Sequence, residues 1–278
     1  MKRNHRNILV ITGFSLIAAA VPGVVSAATP GCNPNDSTTW GPVTWGAGTT
    51  VPRTAKIGSG TTIGTNTSIG PYVRVGVCGT IGDNVKVNSK AIIGNGVTIN
   101  NGAVIGGQTR VGDGSSIGQN LVTGLSVYIG SGVTIGTGTG SVTISSSAWI
   151  KDGSAIGAGA KLGPSVIVGV GSTISPGVSL GMNTRVGNAS SIGPNATVSS
   201  NAVIGNNNQL GTITLGSQSR LGDGDVVGNG AVIAASVISG LNVKVGANAA
   251  VGYDVVICDN AQIADGMTIV SNSRFGCY

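Results

Sequence analysis

Aliphatic residues recur at every sixth position through most of this chain. A small or β-branched residue stands two positions before each of them, and Gly, Asn or Ser usually follows. Two inward residues separated by one outward residue form a short β-strand, and the residue after the strand is expected to supply a turn because Gly and Asn tolerate positive φ. The first members of this ladder are Ile57, Ile63, Ile69, Val75, Ile81, Val87, Ile93, Ile99, Ile105, Val111 and Ile117.

The ladder is interrupted in a few places. Thr123 and Ser239 occupy ladder positions, and in each case the preceding aliphatic residue, Val122 or Ile238, could take the inward place by a local slip. Three residues are inserted within 137–142, and one residue is dropped further along the chain. The period survives each interruption, which favours one continuous structure.

Three such hexads close a triangular coil, and stacked coils pair as parallel strands. About twelve coils at about 4.8 Å each predict a prism about 55 Å long, with the aliphatic ladder as its core. The pattern resembles the hexapeptide-repeat family over about residues 56–270. The resemblance predicts an all-β fold, a single-stranded left-handed parallel β-helix of about twelve triangular coils with short capping segments. The left-handed sense is implied by the resemblance alone, because right-handed crossovers are the general rule.

The two ends of the chain differ from the repeat. Residues 1–27 begin with a basic stretch, continue as an apolar run and end in small residues, which predicts a secretory signal peptide. The alternative is a membrane anchor, but the run is short for a span and no other candidate span follows. We expect an N-terminal cap over 28–55 and a C-terminal cap over 271–278, each covering exposed strand edges. The predicted location is outside the cytoplasm: periplasmic, at the cell surface or extracellular.

All four cysteines follow the predicted cleavage site, and an even number in an exported chain favours disulfides. Three pairings are possible. We expect Cys32 to pair with Cys78 and Cys258 with Cys277, so that each bond locks one end of the helix. The chain has no CxxC motif and only one His, which argues against a zinc site.

Charge is sparse. The formal net charge is +6, and removal of Lys2, Arg3 and Arg6 with the signal peptide lowers it to +3. The remaining basic residues form no run, which disfavours a nucleic-acid partner.

Catalytic residues known from this family are missing. The best-known enzymes with this repeat are acyltransferases that use a His as general base, and the related carbonic anhydrases hold zinc through three His. The single His here is His5, within the predicted signal peptide, and Glu is absent. We therefore predict that the mature protein is not an enzyme and has neither cofactor nor metal. The sequence Asp223-Gly224-Asp225 is a weak candidate for a cation site, since Asp also forms turns.

Outward residues in every third hexad share a face. One face predicts a rank of hydroxyl side chains that resembles those of insect antifreeze proteins, although their second Thr rank is absent here. High strand propensity explains exposed Thr equally well. The members are Thr62, Thr80, Thr98, Ser116 and Thr134.

A second face combines Arg, aromatic and aliphatic residues, the types enriched in interfaces. It could mediate packing of a homo-oligomer, such as the trimers of the resembling family, or bind a protein or glycan surface. The alternative is an unremarkable scatter of exposed residues. The members are Arg74, Ile92, Arg110, Tyr128, Trp149, Ile167 and Arg185, followed by Val203 and Arg220.

These features lead to one main hypothesis and two alternatives. The main hypothesis is a non-catalytic secreted or cell-surface β-helix that acts as a rigid structural or adhesive scaffold. The first alternative is an acyltransferase-like enzyme with an atypical site. The second is an ice-binding protein that uses the Thr rank.

Overall fold

The computed structural model describes residues 32–35 and 41–277. This part of the chain is built of short strands and turns, with no helix. The predicted signal peptide lies outside the described residues. The strands are β1 (Thr44–Trp45), β2 (Lys56–Ile57), β3 (Thr62–Ile63), β4 (Ser68–Ile69), β5 (Arg74–Val75), β6 (Thr80–Ile81), β7 (Lys86–Val87), β8 (Ile92–Ile93), β9 (Thr98–Ile99), β10 (Val104–Ile105), β11 (Arg110–Val111), β12 (Ser116–Ile117), β13 (Val122–Thr123), β14 (Tyr128–Ile129), β15 (Thr134–Thr137), β16 (Thr143–Ile144), β17 (Trp149–Ile150), β18 (Ala155–Gly157), β19 (Lys161–Leu162), β20 (Ile167–Val168), β21 (Thr173–Ile174), β22 (Ser179–Leu180), β23 (Arg185–Val186), β24 (Ser191–Ile192), β25 (Thr197–Val198), β26 (Val203–Ile204), β27 (Gln209–Leu210), β28 (Thr214–Leu215), β29 (Arg220–Leu221), β30 (Val226–Val227), β31 (Val232–Ile233), β32 (Ile238–Ser239), β33 (Lys244–Val245), β34 (Ala250–Val251), β35 (Val256–Ile257), β36 (Gln262–Ile263), β37 (Thr268–Ile269) and β38 (Arg274–Phe275).

Every third strand joins the same parallel sheet, so the chain winds through three sheets in turn. The Thr face is the 13-stranded sheet that contains β1 and β3, the mixed face is the 12-stranded sheet that contains β4, and the Arg face is the 13-stranded sheet that contains β2 and β5. The coil therefore makes about thirteen turns, one more than the hexads predict, and at about 4.8 Å per turn the stack is about 60 Å long. The predicted all-β parallel β-helix is confirmed.

The aliphatic ladder lies inside the three sheets, as predicted. Ile63, Ile81, Ile99 and Ile117 succeed one another on the Thr face and are each at most 1% exposed. The ladders of the other two faces converge on them in one continuous hydrophobic core. Burying each side chain contributes about 1.5–3 kcal/mol, so the repeat itself supplies the stabilisation of the rod.

The role predicted for the residue directly after each strand is wrong. After Ile63, positive φ occurs at Asn66, at 53°, and Gly64 has no positive φ. Glycine follows the strand because the next coil approaches closely there: a Cβ on Gly106 would lie 1.8 Å from the carbonyl oxygen of Gly124. Turn chemistry and coil spacing thus fall on two different corner positions.

The predicted slips at Thr123 and Ser239 are also wrong. Both residues point inward, with 4% and 7% of their surface exposed, whereas Val122 and Ile238 are 44% and 48% exposed. The Thr123 hydroxyl accepts a hydrogen bond from the amide of Gly106 at 2.8 Å. A slip would turn the neighbouring side chains to the opposite face, and a satisfied buried hydroxyl costs less than that.

The ends of the helix are closed as the cysteine positions predict. Cys32 is bonded to Cys78 and Cys258 to Cys277, with Cα–Cα separations of 5.6 and 5.1 Å. Strand β1 pairs with β3 and strand β38 with β35, so each terminal segment adds a strand to a sheet. Within the described residues, no helix is long and apolar enough to cross a membrane.

Candidate functional site

The outward residues of the Arg face form a single rank in strict register along the whole rod. Parallel pairing places each one beside the outward residue of the next coil, eighteen positions on for Arg110 and Tyr128 and twenty-one for Tyr128 and Trp149, which the insertion separates. The predicted face is therefore one surface. Four members were not predicted from the sequence, although the repeat extends the rank into the first coil and past Ser239. The rank is Lys56, Arg74, Ile92, Arg110, Tyr128, Trp149, Ile167, Arg185, Val203, Arg220, Ile238, Val256 and Arg274.

An aromatic pair occupies the middle of this rank. The rings of Tyr128 and Trp149 lie 5.5 Å apart with an angle of 36° between their planes. They are 37% and 52% exposed. Such exposed aromatic surface, followed by Ile167, gives the centre of the Arg face an apolar strip on a rigid backbone.

Beside Trp149 the Arg face forms a shallow open depression of about 540 Å³. The strands of the Arg face contribute the apolar and cationic side chains of the depression. The corner that precedes these strands contributes the polar side chains of its rim. The lining residues are Ser147, Trp149, Ser165, Ile167, Asn183, Arg185, Asn201 and Val203. Aromatic, hydroxyl, amide and guanidinium groups thus converge on one concave surface, the combination typical of a ligand site.

The polar rim follows from the turn chemistry of the repeat. Ser147, Ser165, Asn183 and Asn201 hold positive φ between 57° and 61°. Asn tolerates this conformation because its side chain is short and polar. Asn183 donates through Nδ2 to Oδ1 of Asn201 at 3.2 Å, which aligns two rim amides along the rod.

Six of the eight described aspartates serve the corners, as the turn-forming interpretation predicts. Each accepts a hydrogen bond through Oδ1 from a backbone amide of the preceding coil, at 2.6–2.9 Å. These carboxylates satisfy backbone donors that the sheets leave unpaired. They are Asp83, Asp113, Asp152, Asp223, Asp259 and Asp265.

Asp225 differs from these because it points into the core and is 1% exposed. Its Oδ1 accepts from the amide of Val243 at 2.8 Å, and the Ser239 hydroxyl donates to its Oδ2. Burial raises the pKa of Asp225, and the hydrogen bond from Ser239 opposes that shift. The weak cation site proposed for Asp223 and Asp225 is therefore wrong, since one residue lies outside and the other inside. No cluster of three metal-ligating side chains occurs among the described residues.

The Thr rank is also aligned by the pairing, with Thr80 between Thr62 and Thr98. Thr80, however, is 3% exposed, and its hydroxyl has no hydrogen-bond partner. The neighbouring members are half-buried. The rank thus does not form a continuous exposed surface of hydroxyl groups.

A second depression, of about 460 Å³, lies beside the three-residue insertion. The insertion lengthens strand β15, and Gly138 and Gly140 follow it with φ of 127° and 125°. Gln119, Asn120 and Thr139 contribute its polar lining. It contains no charged side chain, and it lies at the corner between the Thr and mixed faces.

The repeat and the three sheets together identify the fold. The six-residue period, the three stacked parallel sheets and the corner glycines form one consistent pattern. The chain is a parallel β-helix whose six-residue repeat resembles that of the hexapeptide-repeat proteins. No protein-family profile matches the sequence of this hexapeptide-repeat protein, and no curated protein matches it.

Solved structures match at low identity. LpxA from Acinetobacter baumannii is 15% identical over 81% of this chain and 66% of its own, with a TM-score of 0.32. An Arabidopsis UDP-N-acetylglucosamine acyltransferase is 17% identical over 79% of this chain and 65% of its own, with a TM-score of 0.23. The polySia-specific acetyltransferase NeuO is 13% identical over 68% of this chain and 83% of its own, with a TM-score of 0.19. The chain spans slightly less than two thirds of the first two proteins. At these identities the likeness concerns the fold.

The comparisons contradict the prediction that the protein is not an enzyme. The matched proteins named above are acyltransferases or acetyltransferases. The missing His rules out the His-dependent mechanism known from acyltransferases with this repeat. It does not rule out other activities, because one fold can host many functions.

Proposed function

We propose that this hexapeptide-repeat protein is an exported rigid scaffold that binds an extended partner along its Arg face. The observation that carries the proposal is the unbroken, in-register rank of the Arg face with the depression between Trp149 and Val203. A partner that follows the rod meets one outward side chain of this rank at every coil, and these side chains are basic, aromatic or aliphatic. An extended protein segment or a glycan chain has the required shape.

The rigidity of the scaffold supports binding. Each coil donates backbone hydrogen bonds to the next, for example from the amide of Trp149 to the carbonyl of Val166 at 2.8 Å. The inward ladder fixes the strands that carry the outward side chains. A preorganised surface loses little conformational entropy when a ligand binds, which favours affinity.

The proposed location rests on the cysteines and on the N-terminal sequence. Two disulfides with suitable Cα–Cα separations, 5.6 and 5.1 Å, fit an oxidising compartment. The basic and apolar residues 1–27 fit export through a signal peptide. We place the protein in the periplasm, at the cell surface or outside the cell.

The binding proposal is tested by Trp149→Asp, with Val232→Asp on the mixed face as the matched control. Val232 is 48% exposed and Trp149 52%, so both variants place a charge at an exposed strand position. The mature proteins are applied to immobilised glycans and to envelope proteins of the producing cells. Loss of a central aromatic anchor is expected to weaken binding at least about tenfold, whereas Val232→Asp leaves it unchanged.

Size measured by light scattering provides a second readout for the same variants. If the Arg face mediates a homo-oligomer, Trp149→Asp shifts the particle to the monomer mass and Val232→Asp does not. Equal ligand binding and equal mass for wild type and Trp149→Asp would show that the Arg face is not a binding surface.

Acyl transfer is the second candidate function, because the hexad pattern resembles that of acyltransferases and the depression can hold a small substrate. Arg185 would orient an anionic group there, and the proton acceptor would have to be a residue other than His. Release of free thiol from acetyl-CoA by the purified mature protein, in the presence of an amino-sugar acceptor, tests this candidate. Loss of that release in Trp149→Asp would assign it to the same depression.

A further inference from the structure

The cations of the protein are concentrated on the Arg face. Six outward strand positions there are basic and none is acidic, namely Lys56, Arg74, Arg110, Arg185, Arg220 and Arg274. The Thr face carries one cation at such a position, Lys244, and the mixed face carries two, Lys86 and Lys161. The Arg face is therefore the positive side of the rod.

The aspartates that border this face lie mainly on its far corner. Four of them follow the Arg face strands and accept backbone hydrogen bonds through Oδ1: Asp113, Asp152, Asp223 and Asp259. The corner that precedes the Arg face, where the depression opens, carries Arg53, Lys90 and Asp254. The depression itself contains Arg185 and no carboxylate. The charges around the Arg face therefore favour an anionic group at the depression rather than at the corner that carries the four aspartates.

The spacing of these cations indicates the density of charge in the partner. Six cations along thirteen strands correspond to one positive charge per about 10 Å, at about 4.8 Å per strand. A nucleic-acid strand carries one phosphate per about 3.4 Å. The Arg face is too sparsely charged to match it, whereas a polysaccharide in which acidic and neutral sugars mix has a lower density.

The groups between the cations suit sugars. Trp149, Ile167 and Val203 offer an apolar strip that the C–H face of a sugar ring can cover. The amides of Asn183 and Asn201 stand along the rim, where sugar hydroxyls can donate and accept hydrogen bonds. Hydroxyl-rich, apolar-faced and intermittently anionic units match all three kinds of group.

We infer that the partner of the Arg face is an acidic polysaccharide, bound lengthwise with its carboxylates near Arg185 and Arg220. This inference rests on the proposed binding function and names the ligand class. A second copy of this chain fits the same surface poorly, because stacking two Arg faces brings like charges together. Arg185 and Arg220 lie on the two strands that pair with the strand of Val203, one on each side. They give the polymer two fixed charge contacts.

The test compares partially methyl-esterified polygalacturonate with its fully esterified form, which keeps the backbone and removes the charge. Binding of the mature protein is measured by isothermal titration calorimetry at low and high NaCl. We expect affinity at least about tenfold higher for the charged polymer, and a loss of that advantage as salt screens it.

Two double variants separate the Arg face from overall charge. Arg185→Ala with Arg220→Ala is expected to weaken binding of the charged polymer at least about tenfold. Lys161→Ala with Lys244→Ala removes the same total charge from the other faces and is expected to change binding by less than about twofold. Both double variants are expected to keep the wild-type circular dichroism spectrum, because all four side chains point outward.

The possible failures are distinguishable. Equal weakening by both double variants, or preferential binding of single-stranded DNA, overturns the inference. If the mature protein binds both polymers with equal affinity and Trp149→Asp loses that binding, the ligand is not recognised by its charge. That result overturns the inference of an acidic ligand and supports the proposed binding face. A third result is that neither polymer binds and that Trp149→Asp leaves the light-scattering mass and the binding of glycans and envelope proteins unchanged. This result overturns both the acidic-polysaccharide inference and the proposed binding function of the Arg face.

Discussion

The two roles of glycine in the repeat can be separated by a pair of alanine substitutions. Gly106 follows strand β10 and has no positive φ, but a Cβ there would lie 1.8 Å from the carbonyl oxygen of Gly124. Gly114 has a φ of 65°, and a Cβ there would meet nothing within 4 Å. Gly106→Ala therefore tests coil spacing, and Gly114→Ala tests turn conformation.

The expected costs differ. At Gly106 the neighbouring atom is backbone of a stacked coil, so the two coils must move apart locally. We expect a loss of about 3 kcal/mol or more in the free energy of unfolding, at the upper end of overpacking effects. At Gly114 the left-handed conformation costs about 1–2 kcal/mol, and the stiffer unfolded chain returns about 0.4–1 kcal/mol, which leaves about 1 kcal/mol.

Urea unfolding followed by far-ultraviolet circular dichroism measures both variants, with hydrogen exchange to localise the change. Because stacked coils contact only their neighbours, exchange should rise around the coils of Gly106 and Gly124 before it rises at the ends. A Gly114→Ala variant that is less stable than Gly106→Ala would refute the assignment of coil spacing to the residue after the strand.

Further predictions concern the buried polar pair and the ends of the rod. Burial raises the pKa of Asp225 in the folded state above its ordinary value of 3.8. Between 3.8 and that raised pKa the folded state binds more protons than the unfolded state. This group therefore lowers the free energy of unfolding as pH rises through that window. Urea unfolding at a series of pH values should show that the stability of Asp225→Asn rises relative to that of the wild type as pH increases through that window. A difference in the free energy of unfolding that does not change with pH would contradict the prediction. Reduction should destabilise the N-terminal end by about 4 kcal/mol and the C-terminal end by about 3 kcal/mol, from loops of 46 and 19 residues. Hydrogen exchange of Cys32→Ser with Cys78→Ser should show fraying confined to the first coils.

The fold could be predicted from the sequence because its determinants are local and repeated. The ladder position fixes which side chain points inward. The length of one coil, eighteen residues except at the insertion and the dropped residue, fixes the neighbours of each outward residue. This logic correctly placed Arg110, Tyr128 and Trp149 on one surface. It also predicted both disulfides, since each cysteine pair brackets one end of the repeat.

The errors arise where contacts between coils override local preference. The slip predicted at Ser239 ignores that Asp225, fourteen residues earlier, points inward and accepts its hydrogen bond. The buried state of Thr80 is likewise invisible in a pattern that treats every outward position alike. Neither contact follows from hexad periodicity, because both depend on which particular side chains meet in adjacent coils.

The separation between inward and outward positions also explains how one scaffold can host different activities. Substitutions at outward positions such as Trp149 or Arg185 leave the inward ladder intact, so their contribution to binding can change at little cost in stability. The stacking aligns such changes along a linear surface, because each outward position recurs after one coil. A partner that is itself a repeating polymer can then use several coils at once, and its affinity grows with the number of coils engaged. The proposed acidic polysaccharide therefore suits a rod of about thirteen turns with a cationic side better than a compact ligand does.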